Sequence, residues 1–367
     1  MKQSSDIKQS YKTFENFLIL EIKYFNARMS LAMEFLGSHI LSIDQFERSD
    51  IEKIFSTSDQ LVPYAKRERI TRVLQGAILS NMFFEPSTRT RISFGSAFNI
   101  LGGEVRETTG IEATSLAKGE SLYDTSRVLS GYSDIIVMRH HLAGSVNEFA
   151  EASRVPVING GDGDNEHPSQ ALLDLYTIKK ELESKNKTID GLRIALIGDL
   201  KFGRAVHSLC KVLCLYKNIT INLISPKKLK LPNSIKDSFK ESSINFIETD
   251  DITKGISEVD IIYMTRIQEE RFSSKAESGK YKGLMSLNQD IYTKNCEHNT
   301  IIMHPLPRDS RPDANELDPD LNQNPNLAIY RQTDNGLLIR MALFSLVLGV
   351  HNQIEDSTSN VGWFSNK

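Results

Sequence analysis

Apolar residues fall along this chain in two alternating rhythms. Gln75–Phe84 is strand-like, and Asp134–Arg139 and Val155–Asn159 are short β-branched runs of strand length. Between them, Arg91–Leu101 spaces its apolar positions at a helical period and stops at Gly102-Gly103. His167-Pro-Ser-Gln opens another helix, with Leu172, Leu173, Tyr176 and Leu182 on one side. Its proline falls in the first turn, where the missing N–H has no helical partner to lose. The alternation then resumes, with strands predicted at Leu192–Gly198, Thr220–Ser225, Ile261–Thr265 and Thr300–Met303. Helices are predicted at about 204–216 and 336–350. Ser49-Asp-Ile-Glu52 reads as a capping box ahead of Ile51, Ile54 and Phe55.

Such alternation predicts an α/β protein of two domains, each a parallel β-sheet flanked by helices, joined by interdomain helices. The predicted boundaries are 38–168 for the first domain, completed by a C-terminal helix at 335–350, and 169–334 for the second. A polar tail, 351–367, is expected to be loose. Residues 1–37 read as a helical N-terminal extension, with Phe14, Phe17, Leu18 and Phe25 in a stripe that Gly37 ends. The compact protein is then expected to begin near Ser38, and Met29 or Met33 would serve equally as a start.

Composition narrows the class without changing the outline. At 367 residues, 40% hydrophobic and 25% charged, the chain suits two globular cores. A formal charge of −3 gives no nucleic-acid footprint. The longest near-continuous apolar stretch, Met341–Val350, falls short of a membrane span, and residues 1–36 carry too many acids for a transit peptide. Cys210, Cys214 and Cys296 form neither a disulfide framework nor a zinc spacing, which points to a reducing compartment and a cytoplasmic location.

The strongest chemical signal is Phe83-Phe84-Glu85-Pro86-Ser87-Thr88-Arg89-Thr90-Arg91, where a strand gives way to a helix. Free N–H groups at such a helix start attract anions, and the hydroxyls and arginines add donors suited to phosphate. Arg139 closes another strand, at the carboxyl edge where open α/β sheets place ligands. His167 and Gln170 stand at the mouth of the connecting helix, and Lys201 and Arg204 follow the strand ending at Gly198. Arg266 and Gln268 leave a further strand end. The prolines of His304-Pro-Leu-Pro-Arg308 fix a loop whose carbonyls could receive an amide NH₂.

Several chemistries are excluded. Gly198–Arg204 departs from a nucleotide-binding P-loop at the lysine and at the following hydroxyl, and no GxGxxG fingerprint is present. No Ser-His-Asp set, carboxylate pair or metal cluster is apparent, and neither His167 nor His140-His141 has metal-ligand spacing. The remaining set is rich in donors. It suits group transfer from a phosphorylated small molecule to a carboxylate-bearing nucleophile, with no metal and no cofactor.

Phe-Glu-Pro-Ser-Thr-Arg-Thr-Arg, Val-Met-Arg-His, His-Pro-Ser-Gln-Ala-Leu-Leu-Asp, Tyr-Met-Thr-Arg-Ile-Gln-Glu-Glu-Arg and His-Pro-Leu-Pro-Arg resemble, in order, the aspartate/ornithine carbamoyltransferase family. The Arg-Ile-Gln-Glu-Glu-Arg and His-Pro-Leu-Pro-Arg segments are similar to the aspartate type rather than the ornithine type. The resemblance implies a first domain that binds carbamoyl phosphate and a second that binds L-aspartate. By motif, Ser87, Thr88, Arg89 and Thr90 would cradle the phosphate. Thr90, Arg139 and His167 would act on the carbonyl oxygen, while Gln170 and the carbonyls of Pro305 and Leu306 would meet the carbamoyl NH₂. Arg204 would hold the α-carboxylate of aspartate, and Arg266 and Gln268 its β-carboxylate.

Thr114-Ser-Leu-Ala-Lys118-Gly-Glu resembles the loop that trimers of this family insert into a neighbouring site. Lys118, with Thr114 or Ser115, would then serve an adjacent chain of a homotrimer with shared sites, and the resemblance also allows a regulatory chain. Phe202 stands where some relatives carry tyrosine, and residues 1–37 lie outside the resemblance. The implied activity is carbamoyl transfer to L-aspartate in pyrimidine synthesis. The alternatives are transfer to another amino acid, or a metabolite-binding chain without catalysis, against which the retained donors argue.

Overall fold

The computed structural model describes residues 33–112 and 114–363. The extension assigned to 1–37 therefore lies almost wholly outside the described residues. The part that is described already packs: Phe35 is buried and its ring lies 6.3 Å from that of Phe46, so the folded core begins slightly before Ser38.

Two all-parallel sheets organise the chain. The first contains β1 (Ile78–Phe83), β2 (Glu104–Thr109), β3 (Ile135–His140) and β4 (Val157–Asp162), in the order β2-β1-β3-β4. The second contains β5 (Arg193–Ile197), β6 (Thr220–Ile224), β7 (Asn245–Thr249), β8 (Ile261–Met264) and β9 (Ile301–Met303), in the order β9-β8-β5-β6-β7. Parallel pairing demands crossovers, which helices supply. The longer helices, most of them such crossovers, are α1 (Arg48–Gln60), α2 (Thr88–Ile100), α3 (Leu122–Leu129), α4 (Ser145–Ala152), α5 (Pro168–Glu183), α6 (Arg204–Leu213), α7 (Asn233–Glu241), α8 (Gln289–Asn295) and α9 (Ile329–Val347).

The central strands are buried on both faces. Every residue of β3 is buried, which is why that segment reads as a continuous apolar run rather than an alternation. The edge strands β2 and β7 are mostly exposed and polar, and the hydrophobic pattern does not reveal them. Two helices connect the sheets: α5 packs on β4 and on α6, while α9 packs on α1, α2 and α5 and touches β9.

Three sequence expectations need correction. The capping box lies at Glu47 and Asp50, not Ser49 and Glu52, because the helix starts at Arg48 and the Glu47 N–H donates to Asp50 Oδ2 at 2.8 Å. Helix α9 starts at Ile329, ahead of the predicted 335, because its first turns are polar. The tail is not loose over its described part. Ser359-Asn360 pairs antiparallel with Arg69-Ile70, Tyr64 Oη lies 2.7 Å from Thr358 Oγ1, and Ile354 is buried.

Candidate active site

In each sheet the chain runs outward on one side of a central strand and then crosses to the other. These reversals fall between β1 and β3, and between β5 and β8. Crossovers on either side of a reversal leave opposite faces, so a crevice opens at the carboxyl ends of those strands. The sequence-predicted arginines follow from this topology. Arg139 lies at the end of β3, Arg204 starts the helix after β5, and Arg266 and Gln268 follow β8.

The β1 turn leads into the start of α2. Ser87 is the N-cap in an extended conformation, yet its side chain makes no capping bond, which leaves hydroxyl and first-turn N–H groups for a ligand. Ser87 and Thr88 line a cavity of about 320 Å³ with Phe83, Glu85, Pro86 and Arg91. Arg89 is exposed beside it, and Thr90 is buried. Partial enclosure, and then the charge of Arg266, lower the pKa of Arg89.

Glu85, to which the sequence assigned no role, joins those cations. It accepts from Arg139 at 2.9 Å and Arg204 at 3.0 Å through one carboxylate oxygen, and from Arg271 at 3.2 Å through the other. Arg204 and Arg271 also donate to the Gly163 carbonyl, the latter at 2.9 Å. Arg139 is deeply buried. Desolvation and the neighbouring Arg204 push its pKa down to about 9, with Glu85 opposing them. Its Nε has no protein partner among the described residues. Gly161, at φ +114°, allows this crowding, since a Cβ there would lie 3.1 Å from an Arg139 nitrogen.

His167 is the N-cap of α5, and Pro168 occupies the first turn. Its backbone N–H donates to Ser208 Oγ at 3.2 Å. Burial first, and then Arg139, Arg204 and Arg340, hold its pKa well below the usual histidine value. The imidazole is therefore neutral at physiological pH and has one N–H to donate.

Around β5 and β8, Asp199 ties the two loops together. It accepts from the Phe202 N–H at 3.0 Å and the Gln268 N–H at 3.1 Å, and burial raises its pKa. Gly198 lets the strand ends meet, because a Cβ at its φ of +117° would fall 2.2 Å from the Thr265 carbonyl. Arg266 is paired with Glu270. The Phe202 ring lies 5.3 Å from that of Phe272, so aromatic packing holds this loop.

Pro305 and Leu306 lie in the loop after β9, with Leu306 at φ +59° and a cis Leu306–Pro307 bond. His304 fixes this turn: its Nδ1 accepts from the Leu306 N–H at 2.8 Å while Nε2 meets Glu316 at 2.8 Å. Glu85, Asp199 and Glu316 escape a reading of the sequence, because a carboxylate that serves arginines, backbone amides or a histidine has no spacing rule of its own.

Lys118 stands apart from this assembly. It closes an exposed 3₁₀ turn, Ser115–Lys118, and forms no ion pair among the described residues. The Thr114 hydroxyl donates to the Ile111 carbonyl at 2.7 Å, whereas Ser115 is exposed. No cluster of metal-binding side chains occurs among the described residues, and no helix there is long and apolar enough to cross a membrane.

Comparison with known proteins agrees with this geometry. Residues 38–180 match the family model described as aspartate/ornithine carbamoyltransferase, carbamoyl-P binding domain, and residues 190–347 match its Asp/Orn binding domain. The aspartate carbamoyltransferase catalytic subunit of Cellvibrio japonicus is 66% identical over 91% of this chain and 98% of its own length. That of Saccharophagus degradans is 63% identical over 91% and 99%. Among solved structures, the catalytic subunit of M. jannaschii aspartate transcarbamoylase superposes with a TM-score of 0.75 at 41% identity, covering 87% of this chain and 98% of that one. The Trypanosoma cruzi aspartate transcarbamoylase in complex with carbamoyl phosphate gives 0.77 at 34%, covering 87% and 99%. Both family regions are matched in order along two parallel sheets flanked by helices, and the chain belongs to the aspartate/ornithine carbamoyltransferase family.

Proposed function

We infer that this chain transfers the carbamoyl group of carbamoyl phosphate to the amine of L-aspartate, giving N-carbamoyl-L-aspartate and phosphate in pyrimidine synthesis. One observation carries the reading. Glu85, beside the helix start that suits a phosphate, is bound by Arg139 from its own sheet and by Arg204 and Arg271 from the other. This arrangement supports a reading in which an anion at the α2 start lies next to a carboxylate-bearing partner at the second crevice. Relatives named as aspartate carbamoyltransferases support the choice of amine.

In the proposed reaction Ser87, Thr88, Arg89 and Thr90 hold the phosphate. Arg204 uses N–H groups not taken by Glu85 to bind the α-carboxylate of aspartate, and Arg266 and Gln268 bind the β-carboxylate. The amine attacks the carbonyl carbon, and negative charge grows on the carbonyl oxygen. Thr90, Arg139 and neutral His167 donate to that oxygen, where fixed donors are most effective. Gln170 and the carbonyls of Pro305 and Leu306 accept from the carbamoyl NH₂. The C–O bond to phosphate then breaks, and the departing phosphate takes the proton of the amine. Orientation and fixed charge supply the acceleration, with no metal or cofactor.

The proposed working form is a homotrimer in which Lys118 and Ser115 complete the site of an adjacent chain. Ser115 is preferred to Thr114 because the Thr114 hydroxyl already has a backbone partner. As a biosynthetic enzyme the protein is proposed to act in the cytoplasm, and a regulatory chain is a further proposed partner. The test is turnover of carbamoyl phosphate with a panel of amino acids. Carbamoylation of aspartate is expected, and carbamoylation of ornithine but not aspartate would overturn the assignment.

A further inference from the structure

Behind the proposed amine-binding corner lies a carboxylate that the mechanism does not use. Asp174 is on α5, one turn beyond Gln170, and is completely buried. Three side chains donate to it. Gln170 Nε2 reaches Oδ1 at 2.8 Å, Gln332 Nε2 reaches the same oxygen at 2.6 Å, and Tyr263 Oη reaches Oδ2 at 2.6 Å. Gln332 and Tyr263 are themselves buried, on α9 and β8 respectively.

A primary amide has two faces, an N–H donor face and a carbonyl acceptor face, and it rotates freely unless something distinguishes them. A carboxylate does so, because it only accepts. With Nε2 of Gln170 directed at Asp174, the Gln170 carbonyl oxygen is the face left for a ligand. The same logic reaches the second acceptor. Gln332, held by its Nε2, turns its Oε1 to the backbone N–H of His304 at 3.0 Å. His304 in turn accepts from the Leu306 N–H through its ring. One carboxylate thus orders both a side-chain carbonyl and the backbone turn that bears the carbonyls of Pro305 and Leu306.

We propose that Asp174 is a positioning residue for the carbamoyl amine, holding Gln170 and the His304–Leu306 turn with carbonyl oxygens, not N–H groups, presented to the ligand. The proposal rests on the carbamoyl-transfer reading above. Keeping this group charged is costly: burial raises its pKa to about 7, against the pull of Tyr263, Gln332, Gln170 and then Arg340, so the accept-only form prevails above that pH, where the affinities below are measured. An apolar residue would fill the space without that cost. It would not tell one face of an amide from the other.

The role is separable from mere stability by changing the ligand. Acetyl phosphate carries a methyl group where carbamoyl phosphate carries the amine, so it needs no acceptor there. Dissociation constants for both are measured on the intact purified protein and on folded variants. Asp174→Ala is expected to weaken carbamoyl phosphate about tenfold and acetyl phosphate less than about twofold. Asp174→Asn keeps a carbonyl for both amides and turns its NH₂ to the Tyr263 oxygen, so it is expected to recover wild-type affinity to within about threefold. Equal weakening of the two ligands by folded Asp174→Ala, or weakening of neither, overturns the proposal.

Should Asp174→Ala not fold, Gln332→Met breaks the relay at its second link and is expected to show the same selective loss. Equal or absent effects there overturn the proposal, as does failure of all three variants to fold. Wild-type protein that does not bind carbamoyl phosphate would instead remove the functional reading, so the wild-type measurement distinguishes the two failures.

Discussion

His167 illustrates how surroundings turn an ordinary side chain into a specific tool. Buried among arginines, it stays neutral where a free histidine would be half-protonated at 6.5. The unfolded chain takes up a proton there as pH falls and the folded chain does not, so this group favours folding less and less below about pH 6.5. Its ring protons are expected to show no NMR titration step near 6.5, and a step there would overturn the neutral assignment. His167→Ala is expected to lower kcat by about a hundredfold and carbamoyl phosphate affinity far less, because a donor to a developing oxyanion acts mainly in the transition state. Arg89 is exposed and contributes little to the core. Arg89→Ala should cost at least about tenfold in kcat/KM for carbamoyl phosphate and leave the urea midpoint unchanged. Cations such as these were legible in the sequence because they follow strand ends and glycine-rich turns. Asp174 was not, since its three donors come from residues 170, 263 and 332, which only the fold brings together.

At the level of elements, what the sequence revealed was set by burial. The fully buried β3 and the mostly buried β5 carry short apolar runs of strand length, and both are legible in the sequence. Edge strands β2 and β7 present largely polar side chains to solvent and are recognised only through their pairing with β1 and β6. The C-terminal segment misled for a related reason. Its composition is that of a loop, while its order comes from one apolar anchor and a two-residue strand pairing with Arg69-Ile70. Ile354 is that anchor, at 4% exposure. Ile354→Ala should destabilise the protein by about 2–4 kcal/mol in urea unfolding, and a change under about 0.5 kcal/mol would show that the tail carries no load.

The whole molecule is where the sequence is least explicit, because the proposed shared site leaves as its trace only Lys118, exposed and without an ion pair among the described residues. If Lys118 serves an adjacent chain, two differently damaged chains should repair one another. Mixing inactive Lys118→Ala and Arg89→Ala chains, with dissociation and reassembly, should restore roughly a quarter of the sites, by the counting that cyclic symmetry allows. No recovery from verified mixed oligomers would show that Lys118 does not act across chains. The path of the backbone has a separate consequence. The Gly37 N–H donates to the Val347 carbonyl at 2.9 Å, so the chain enters and, through α9, returns beside the first sheet. All five strands of the second sheet lie between those points, reached by α5 and left through the loop before α9. The half proposed to choose the amine is therefore a cassette on two tethers. Exchanging it for a half that reads a different amino acid would leave unbroken the strand order of the first sheet, the proposed seat of the phosphorylated donor.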